Sequence, residues 1–319
     1  MRPDDLAAWV IKKLLERNPE ADPSQIEDVV FGAANQAGED NRNVARMALL
    51  LAGLPVEIGG VTVNRLCASG LQAIMDASRG VLHGDGECYI AGGVESMSRA
   101  PLVMAKADEA FSRKAELYDT TIGWRFVNSK LSKLYHPYSM GETAENVAEK
   151  WKISREEQDQ FGLLSQQKYF AAKKADRFNE EIVFITVQKG KESIEFKHDE
   201  YPRETSLEKL ASLKPAFKEK GTVTAGNSSG INDGAAACLI ASEEFVKKSN
   251  LKPLARVVSM AIAGVEPAYM GVGPVPAVQK ALKRAGLKIS DIGLVELNEA
   301  FASQAIACMR DLNLDSSLV

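Results

Sequence analysis

Cysteine is scarce in this sequence, and no cysteine pair has the spacing of a metal site or a disulfide framework. The 319 residues include only four cysteines, at positions 67, 88, 238 and 308. No Cys-x-x-Cys pair occurs, which favours a reducing compartment. The three histidines, at positions 83, 136 and 198, are scattered without metal-ligand spacing. We therefore expect no metal site.

The sequence also lacks a long apolar segment and an excess of basic residues. No apolar run approaches the ~20 residues that span a bilayer, and the first residues do not have the pattern of a signal peptide. The net charge of −4 provides no basic surface for nucleic acid or for an anionic membrane. With 45% hydrophobic and 26% charged residues, the composition is that of a globular protein. We expect a cytoplasmic protein that binds neither nucleic acid nor membranes.

Helix and strand patterns alternate along the chain, which predicts a layered α/β fold. An amphipathic helix is expected over residues 4–17, because apolar side chains recur there at helical spacing. The succession of helix, strand and helix in residues 4–51 recurs in residues 275–312. This repeat indicates two related α/β halves. Strands of the second half are expected at residues 255–261 and 294–297.

A longer and more polar region lies between the two halves. It contains a helix predicted over residues 154–174, which opens with a capping box of Ser154 and Glu157, and then a predicted strand pair. We expect this region, residues 104–220, to be an inserted loop domain. The N-terminal half would cover residues 1–103 and resume at about 221–249, and the C-terminal half would cover residues 250–319.

The repeat also predicts what each half lacks. The second half has a predicted strand before its first helix, whereas the first half opens directly on a helix. The first half continues into the strand that precedes Cys67, whereas the second stops at Val319 before any counterpart. We therefore expect a chain that is truncated at both ends, with an incomplete C-terminal half.

Cys67 lies between a β-branched run and a run of small, helix-compatible residues in the stretch "VNRLCASGLQA". A cysteine at the start of a helix faces unpaired N–H groups and the positive end of the helix dipole, which stabilise a thiolate. This position therefore suits a nucleophile. A small buried hydrophobic residue is the alternative interpretation, and the position alone leaves both open.

Four further motifs accompany this stretch along the chain. They are "AGGVESMSRAP" from Ala91, "SMGETAENVA" from Ser139, "TAGNSSGINDGAA" from Thr224 and "NEAF" from Asn298. In this order and spacing, the five motifs resemble those of the thiolases, a family that makes and cleaves 3-oxoacyl-CoA thioesters. The resemblance covers essentially the whole chain. It implies an α/β protein with the duplicated thiolase fold of αβαβα layers and an inserted loop domain, assembled as a homodimer or homotetramer.

The resemblance also implies an acyl-CoA acyltransferase with CoA as co-substrate and no permanently bound cofactor. In that reaction a cysteine thiolate attacks the keto carbon of a 3-oxoacyl-CoA, and the acyl group passes from the enzyme to CoA. Cys67 matches the acylated nucleophile, and its N–H matches a donor of one oxyanion hole. Asn298 matches the asparagine that fixes a water in the other oxyanion hole, although a strand-end capping role is its alternative.

Six positions match the family's CoA-binding tunnel. Ser229 resembles the position that meets the pantetheine arm of CoA. The other positions that line the tunnel are Ala225, Gly230, Met140, Ala300 and Phe301. For Met140 and Phe301, a place in the hydrophobic core is an equal alternative.

The sequence departs from the family pattern in two ways. Ser139 stands where acetoacetyl-CoA thiolases commonly carry histidine, so a preference for the shortest substrate is not implied. The "GHP" motif and the following "CxG" motif of the family do not occur, and none of the three histidines stands in a matching context. Those motifs supply the histidine that activates the nucleophile and a second catalytic cysteine. We therefore expect that this chain does not turn over, although a full-length parent would.

The stretch "YDTTIGWRFVN" from Tyr118 resembles the corresponding segment of the thiolases that act on 3-oxoadipyl-CoA. That substrate ends in a carboxylate, which an arginine can bind through two hydrogen bonds. We hypothesise a preference for 3-oxoadipyl-CoA, with Arg125 as the partner of the carboxylate. The alternative is a structural arginine that packs on Trp124 or forms an ion pair.

Two other functions remain open on the sequence. A non-catalytic, CoA-binding thiolase-like protein would also explain the missing motifs. A 3-oxoacyl-ACP synthase would share the duplicated fold and the cysteine at a strand-to-helix turn. Such a synthase should lack the loop domain and the "SMGETAENVA" and "GNSSGINDG" segments, all of which are predicted or present here.

Overall fold

Two structural units make up the chain, and each is described by itself. The structure is a computed structural model that describes residues 1–319, apart from the side chain of Lys189. The first unit contains Met1–Arg125, Ile182–His198 and Ile231–Val257. The second contains Phe126–Glu181, Asp199–Gly230 and Val258–Val319. The units are groups of mutual contacts and do not test the expected division into two halves and a loop domain, which stays a prediction.

The described elements follow one another along the chain as helices and strands. The strands are β1 (Asp28–Gly32), β2 (Gly59–Val63), β3 (Cys88–Glu95), β4 (Leu102–Met104), β5 (Leu117–Asp119), β6 (Ile185–Lys189), β7 (Glu192–Phe196) and β8 (Gly234–Ala241). The α-helices are α1 (Pro3–Arg17), α2 (Val44–Leu51), α3 (Ser69–His83), α4 (Ser129–Leu134), α5 (Met140–Lys150), α6 (Arg155–Lys174), α7 (Leu207–Ala211), α8 (Glu243–Lys248), α9 (Pro274–Ala285) and α10 (Ala302–Leu312).

A four-stranded mixed sheet with the order β2-β1-β3-β8 forms the centre of the first unit. Strands β1, β2 and β3 are parallel, and β8 joins β3 in the antiparallel direction. The central strands β1 and β3 are almost continuously buried and apolar, as expected of strands with both faces covered. The three parallel strands therefore end at the same edge of the sheet.

Helices cover both faces of this sheet. Val29 and Phe31 of β1 point to one face and pack with apolar residues of α1 and α2. Val30 points to the other face and packs with Ala73 and Ala77 of α3. The alternation follows from the two-residue period of a strand. The expected α/β class is thus confirmed for this unit.

In the second unit, α10 packs against α5 and α6. Its apolar centre includes Val147 of α5 and Ala307 and Cys308 of α10, all fully buried. Helix α6 opens with the predicted capping box, in which Ser154 and Glu157 bond to each other's backbone N–H groups. Such a box satisfies two of the donors that a helix start leaves unpaired.

The strands predicted at residues 255–261 and 294–297 are wrong. Neither segment forms a strand in the structure. A strand requires a ladder of hydrogen bonds to a neighbour, and these segments have no such neighbour among the described residues. Val258 and Leu294, which lie in these two segments, are 69% and 72% exposed. The helices of the same repeat are confirmed as α9 and α10.

Candidate active site

Cys67 lies in the tight turn that joins β2 to α3. Leu66, which precedes it, has a φ of 50°, a left-handed conformation that is uncommon for a large side chain. The turn is held by Ser69, whose hydroxyl donates to the Leu66 carbonyl at 2.6 Å and accepts from the Arg65 N–H at 2.8 Å. Asn64 Oδ1 accepts from the Leu66 N–H at 2.9 Å. A left-handed residue held in place by such hydrogen bonds is typical of a functional position.

The start of α3 rests directly on the end of β1. A Cβ atom at Gly32 would lie 2.3 Å from the carbonyl carbon of Ser69, so only glycine allows this approach. The four first N–H groups of a helix lack intrahelical partners and carry partial positive charge. Cys67 precedes Ser69 by two residues, so the turn places it immediately before this positive end. The predicted position of Cys67 at a strand-to-helix turn is thus what the structure shows.

The four cysteines differ in exposure. Cys67 is exposed, Cys88 and Cys308 are buried, and Cys238 is half-buried. Burial raises the pKa of Cys88 to about 12 and that of Cys308 to about 11. Burial raises the pKa of Cys238 as well. Cys67 is therefore the most accessible thiol for chemistry with a substrate.

The loops after the three parallel strands hold one another at the edge of the sheet. Asn64, after β2, donates through Nδ2 to the Ala34 carbonyl, after β1, at 2.8 Å. Glu95, at the end of β3, accepts from the N–H groups of Ala34 and Asn35 at 2.9 and 3.2 Å. In α/β sheets, ligands bind outside the carboxyl ends of the strands. The turn that carries Cys67 belongs to this edge.

Arg125 lies in the same network. Its Nη2 atom donates to the Asn35 carbonyl at 3.3 Å and to Asn35 Oδ1 at 3.4 Å. Asn35 Nδ2 in turn donates to the Thr120 carbonyl at 3.1 Å. These contacts attach the "YDTTIGWRFVN" segment to the loop after β1. The ion pair that the sequence left open as an alternative for Arg125 is absent among the described residues.

In the second unit, Asn298 lies four residues before the start of α10. Its side chain is exposed, and it accepts or donates no hydrogen bond among the described residues. The next residue, Glu299, is fixed because its Oε2 atom accepts from the Ser165 hydroxyl at 2.6 Å. An exposed amide beside a hydrogen-bonded neighbour is free to bind a water or a substrate oxygen.

The segment around Ser229 is joined to the "NEAF" segment by backbone hydrogen bonds. The Ser229 N–H donates to the Ala300 carbonyl at 2.9 Å, and the Ala302 N–H donates to the Asn227 carbonyl at 2.9 Å. A bridge also pairs Ser228 with Phe301. The structure thus brings together three of the predicted tunnel positions, with Gly230 adjacent in the chain.

The buried side chain of Asn227 anchors this loop. Its Nδ2 atom donates to Asp159 Oδ1 at 3.0 Å and to the Thr222 carbonyl at 3.1 Å. Its Oδ1 atom accepts from the Thr224 N–H at 2.8 Å. Ala225, two residues before Asn227, is exposed and its carbonyl accepts from Arg203 at 3.4 Å.

Met140 is the first residue of α5 and is 37% exposed. The adjacent Gly141 lies against Phe217, since a Cβ at Gly141 would come within 2.1 Å of the ring. The ring of Phe217 meets that of Phe301 edge to face, with centroids 6.2 Å apart. Half-buried Phe301 and Gly141, the neighbour of exposed Met140, therefore both lie against the Phe217 ring. The exposure of Met140 is not what its core alternative predicted.

Sequence reasoning missed Phe217 and Glu145. The Glu145 carboxylate is buried and accepts from the backbone N–H groups of Thr222 and Val223 at 2.9 Å each, which fixes the segment leading into the Ser229 loop. An acidic residue on the buried face of α5 was the available signal for Glu145, because a buried carboxylate requires partners. Phe217 carried no such signal.

The histidines lie in other surroundings. His83 is the last residue of α3, so the length of a 15-residue helix, about 22 Å, separates it from the turn of Cys67. Its ring lies 2.9 Å from the Asp85 carboxylate on the surface. His136 packs edge to face on Tyr138, and His198 is exposed.

The described residues contain neither a metal-binding cluster nor a membrane-spanning helix. No group of three or more His, Cys, Asp or Glu side chains is arranged to hold a metal ion. No helix has both the length and the apolar character needed to span a bilayer.

The comparisons with known proteins agree with one another. The thiolase N-terminal domain matches residues 1–244, and the thiolase C-terminal domain matches residues 251–319. A beta-ketoadipyl-CoA thiolase of Escherichia coli is 57% identical over 316 residues, which cover 98% of this chain and 79% of that protein. The beta-ketoadipyl-CoA thiolase of Pseudomonas aeruginosa is 56% identical over 315 residues, with the same 98% and 79% coverage. The crystal structure of the Bacillus anthracis acetyl-CoA acetyltransferase is 38% identical with a TM-score of 0.92, and the match covers 100% of this chain and 79% of that one.

The sheet edge carries a cysteine at a strand-to-helix turn, and the fold matches that of an acetyl-CoA acetyltransferase with a TM-score of 0.92. Together these features define an acyl-transferring enzyme. The chain belongs to the thiolase family. It is accordingly an acyl-CoA acyltransferase with the thiolase α/β fold, as the motifs predicted. The matches do not favour the non-catalytic protein or the 3-oxoacyl-ACP synthase. They also give no support to the expected truncation or to an inactive fragment.

Proposed function

We propose that this chain cleaves 3-oxoadipyl-CoA with CoA to give succinyl-CoA and acetyl-CoA, or catalyses the reverse Claisen condensation. Two observations support this substrate. The relatives with 57% and 56% identity are named for beta-ketoadipyl-CoA. The segment "YDTTIGWRFVN" is attached to the edge of the sheet to which the turn of Cys67 belongs. CoA is a co-substrate in this proposal, and no permanently bound cofactor is needed.

In the first step, the Cys67 thiolate attacks the keto carbon of the substrate. A bond forms between sulfur and this carbon, and the bond from the keto carbon to the α-carbon breaks. The electron pair leaves with acetyl-CoA as its enolate, which takes up a proton. The succinyl group remains on Cys67 as a thioester, so the energy of the broken bond is retained.

In the second step, the thiolate of free CoA attacks the succinyl thioester. Succinyl-CoA forms and the Cys67 thiolate leaves. The start of α3 supports both steps, because its unpaired N–H groups stabilise the thiolate as nucleophile and as leaving group. The exposure of Cys67 beside this helix start is the observation on which the proposal depends most.

Two groups are proposed to stabilise oxygen atoms that gain negative charge. The Cys67 N–H would donate to the oxygen on the attacked carbon. Asn298 would hold a water that donates to the thioester oxygen of the leaving enolate. Such preorganised donors commonly contribute the largest part of the rate enhancement in acyl transfer. The hydrogen bond of the neighbouring Glu299 side chain to Ser165 supports this role for Asn298.

The CoA arm is proposed to bind at the surface formed by six residues of the second unit. Ser229 would meet the pantetheine amides with its exposed hydroxyl, and the half-buried Phe301 ring would contact the apolar part of the arm. The remaining members are Ala225, Gly230, Met140 and Ala300. A narrow, mostly apolar arm fits a surface of small side chains and rings.

The substrate assignment is tested by measuring acetyl-CoA release. The purified chain is given 3-oxoadipyl-CoA or 3-oxohexanoyl-CoA at equal concentration, with and without CoA. We expect faster release from 3-oxoadipyl-CoA, and no release from the Cys67→Ala variant. Faster release from the straight-chain substrate would overturn the assignment to 3-oxoadipyl-CoA.

A homodimer or homotetramer and a cytoplasmic location remain predictions. Light scattering of the purified chain measures the oligomeric state directly. A monomer at micromolar concentration would contradict the first prediction.

A further inference from the structure

Arg125 carries a positive charge that the described residues leave without a carboxylate partner. Arg2, Arg79 and Arg99 of the same unit each form an ion pair with an acidic side chain. Arg125 is half-buried, yet within the described part of the chain its guanidinium bonds only to the neutral Asn35, at 3.3 and 3.4 Å. These distances are long for an N–H···O bond. A partly desolvated guanidinium with donors to spare is suited to an anionic ligand.

Asn35 holds Arg125 at the edge of the sheet to which the turn of Cys67 belongs. The backbone of Asn35 is fixed by Glu95, whose Oε1 atom accepts from the Asn35 N–H at 3.2 Å. The preceding carbonyl, of Ala34, accepts from Asn64, three residues before Cys67, at 2.8 Å. Arg125 and the turn of Cys67 are therefore attached to two consecutive residues of one loop.

The carboxylate of the proposed substrate requires a positively charged side chain near the acyl group on Cys67. Attack on 3-oxoadipyl-CoA leaves a succinyl group on sulfur, and the free end of that group is a carboxylate. An unpaired carboxylate loses its hydration when a site closes around it, which is costly without a partner. A guanidinium offers two parallel N–H groups that match the two carboxylate oxygens.

We infer that Arg125 binds the distal carboxylate of the acyl group and makes this thiolase selective for dicarboxylic acyl chains. The inference rests on the proposed function, because it assigns a residue to the recognition of that substrate. Asn35 acts as the positioning residue, since its carbonyl and its Oδ1 atom both orient the guanidinium.

The experiment compares two CoA thioesters of equal chain length. Succinyl-CoA ends in a carboxylate, and butyryl-CoA ends in a methyl group. Their affinities are measured by calorimetry on the Cys67→Ala chain, in which acyl transfer to position 67 is blocked. The same measurement is made after adding Arg125→Ala, Arg125→Lys or, as a matched control, Arg113→Ala. Arg113 is an exposed arginine in the segment between β4 and β5 of the same unit.

We expect succinyl-CoA to bind about 10- to 100-fold more tightly than butyryl-CoA, the range for hydrogen bonds to a charged group. Arg125→Ala should abolish this difference and leave the affinity for butyryl-CoA unchanged, which also verifies that the variant is folded. Arg125→Lys should keep part of the preference, because the charge remains while the fork is lost. Arg113→Ala should keep all of it.

A preference for succinyl-CoA that survives Arg125→Ala would overturn the inference, as would the absence of any preference in the Cys67→Ala chain. The proposed function is judged separately, by acetyl-CoA release from 3-oxoadipyl-CoA with Cys67 present. Release without a role for Arg125 would reject only the inference. No release together with a lost preference in Arg125→Ala would reject only the proposed reaction.

Discussion

At the scale of single residues, Cys67 is separated from the other cysteines by exposure. Cys88 and Cys308, with pKa values of about 12 and about 11, are less than about one part in a thousand thiolate at pH 8. Since only the thiolate reacts, iodoacetamide at pH 8 should label Cys67 at least roughly 100-fold faster than either. Peptide mapping after limited labelling of the folded protein measures this. Labelling that begins at Cys238 or at a buried cysteine would count against Cys67 as the nucleophile.

Asn298 is predicted to act on the reaction rather than on binding. Asn298→Ala should lower kcat for acetyl-CoA release by about 100- to 1,000-fold, the cost of removing one oxyanion-hole donor. KM should change little, because the contact forms fully only when charge develops on the oxygen. Glu296→Ala, two residues away and exposed, serves as the control. An equal loss in both variants, or a loss confined to KM, would be incompatible with this role.

Some of these residues could be predicted and others could not. Cys67 stands between strand-forming and helix-forming residues, so local sequence already predicted its turn. The contact of Arg125 with Asn35, in place of a carboxylate partner among the described residues, could not be predicted, because Asn35 is distant in the chain. Phe217 was missed for the same reason, since its contact with Gly141 exists only after folding.

At the scale of elements, the contact between β1 and α3 is predicted to control Cys67. Gly32→Ala would place a Cβ atom 2.3 Å from the Ser69 carbonyl carbon, which must shift the helix start. Overpacking of this kind typically costs about 1–3 kcal/mol of unfolding free energy. Slower labelling of Cys67 should accompany the lower stability, because the turn moves with the helix. Chemical denaturation and iodoacetamide kinetics measure the two effects.

Gly234→Ala is the matched control for this substitution. Gly234 begins β8 of the same sheet, and a Cβ atom there would meet nothing within 4 Å. It should leave both stability and labelling close to those of the unchanged protein. Gly32→Ala with unchanged Cys67 labelling would mean that the turn does not depend on this contact.

The first residue of β1 gives the sheet a predicted pH dependence. Burial, with a smaller contribution from the charge of Glu27, raises the pKa of Asp28 above its ordinary value. A raised carboxyl pKa means that the protonated form stabilises the fold at low pH, and that this stabilisation is lost as pH rises through the raised pKa. Asp28→Asn should therefore increase Tm at pH 7, with no increase at pH ~3, below the ordinary pKa of aspartate.

The backbone contact of Asp28 makes asparagine the appropriate replacement. Asp28 Oδ1 accepts from the Val29 N–H at 2.8 Å, and the amide oxygen of asparagine can accept the same bond. Thermal melts across this pH range test the prediction. If Asp28→Asn lowers Tm relative to the unchanged protein more at pH 7 than at pH 3, the charge of Asp28 does not destabilise the fold.

Helices were predicted more accurately than strands because their signals are local. α1 and α6 followed from apolar periodicity and a capping box within the segment itself. The segments 255–261 and 294–297 have strand-like composition, but composition does not supply a neighbouring strand. For the second of these, one bond to a neighbour forms, from the Val295 N–H to the Leu318 carbonyl at 2.8 Å.

At the scale of the whole molecule, the order of the sheet was not predictable from local patterns. β8 joins β3 from far along the chain, and its antiparallel register pairs Ala91 with Cys238. The five sequence motifs succeeded where periodicity failed, because their order reflects a whole fold rather than one element. Both family matches and the TM-score of 0.92 confirm that fold.

The central claim is that the acyl group of 3-oxoadipyl-CoA is transferred to Cys67. The most direct measurement is mass spectrometry of the chain after incubation with 3-oxoadipyl-CoA in the absence of free CoA, followed by peptide mapping. The account predicts one succinyl group, located on the peptide that contains Cys67, and its removal when CoA is added. A chain that carries no succinyl group, or carries it on a peptide other than that of Cys67, would contradict the account.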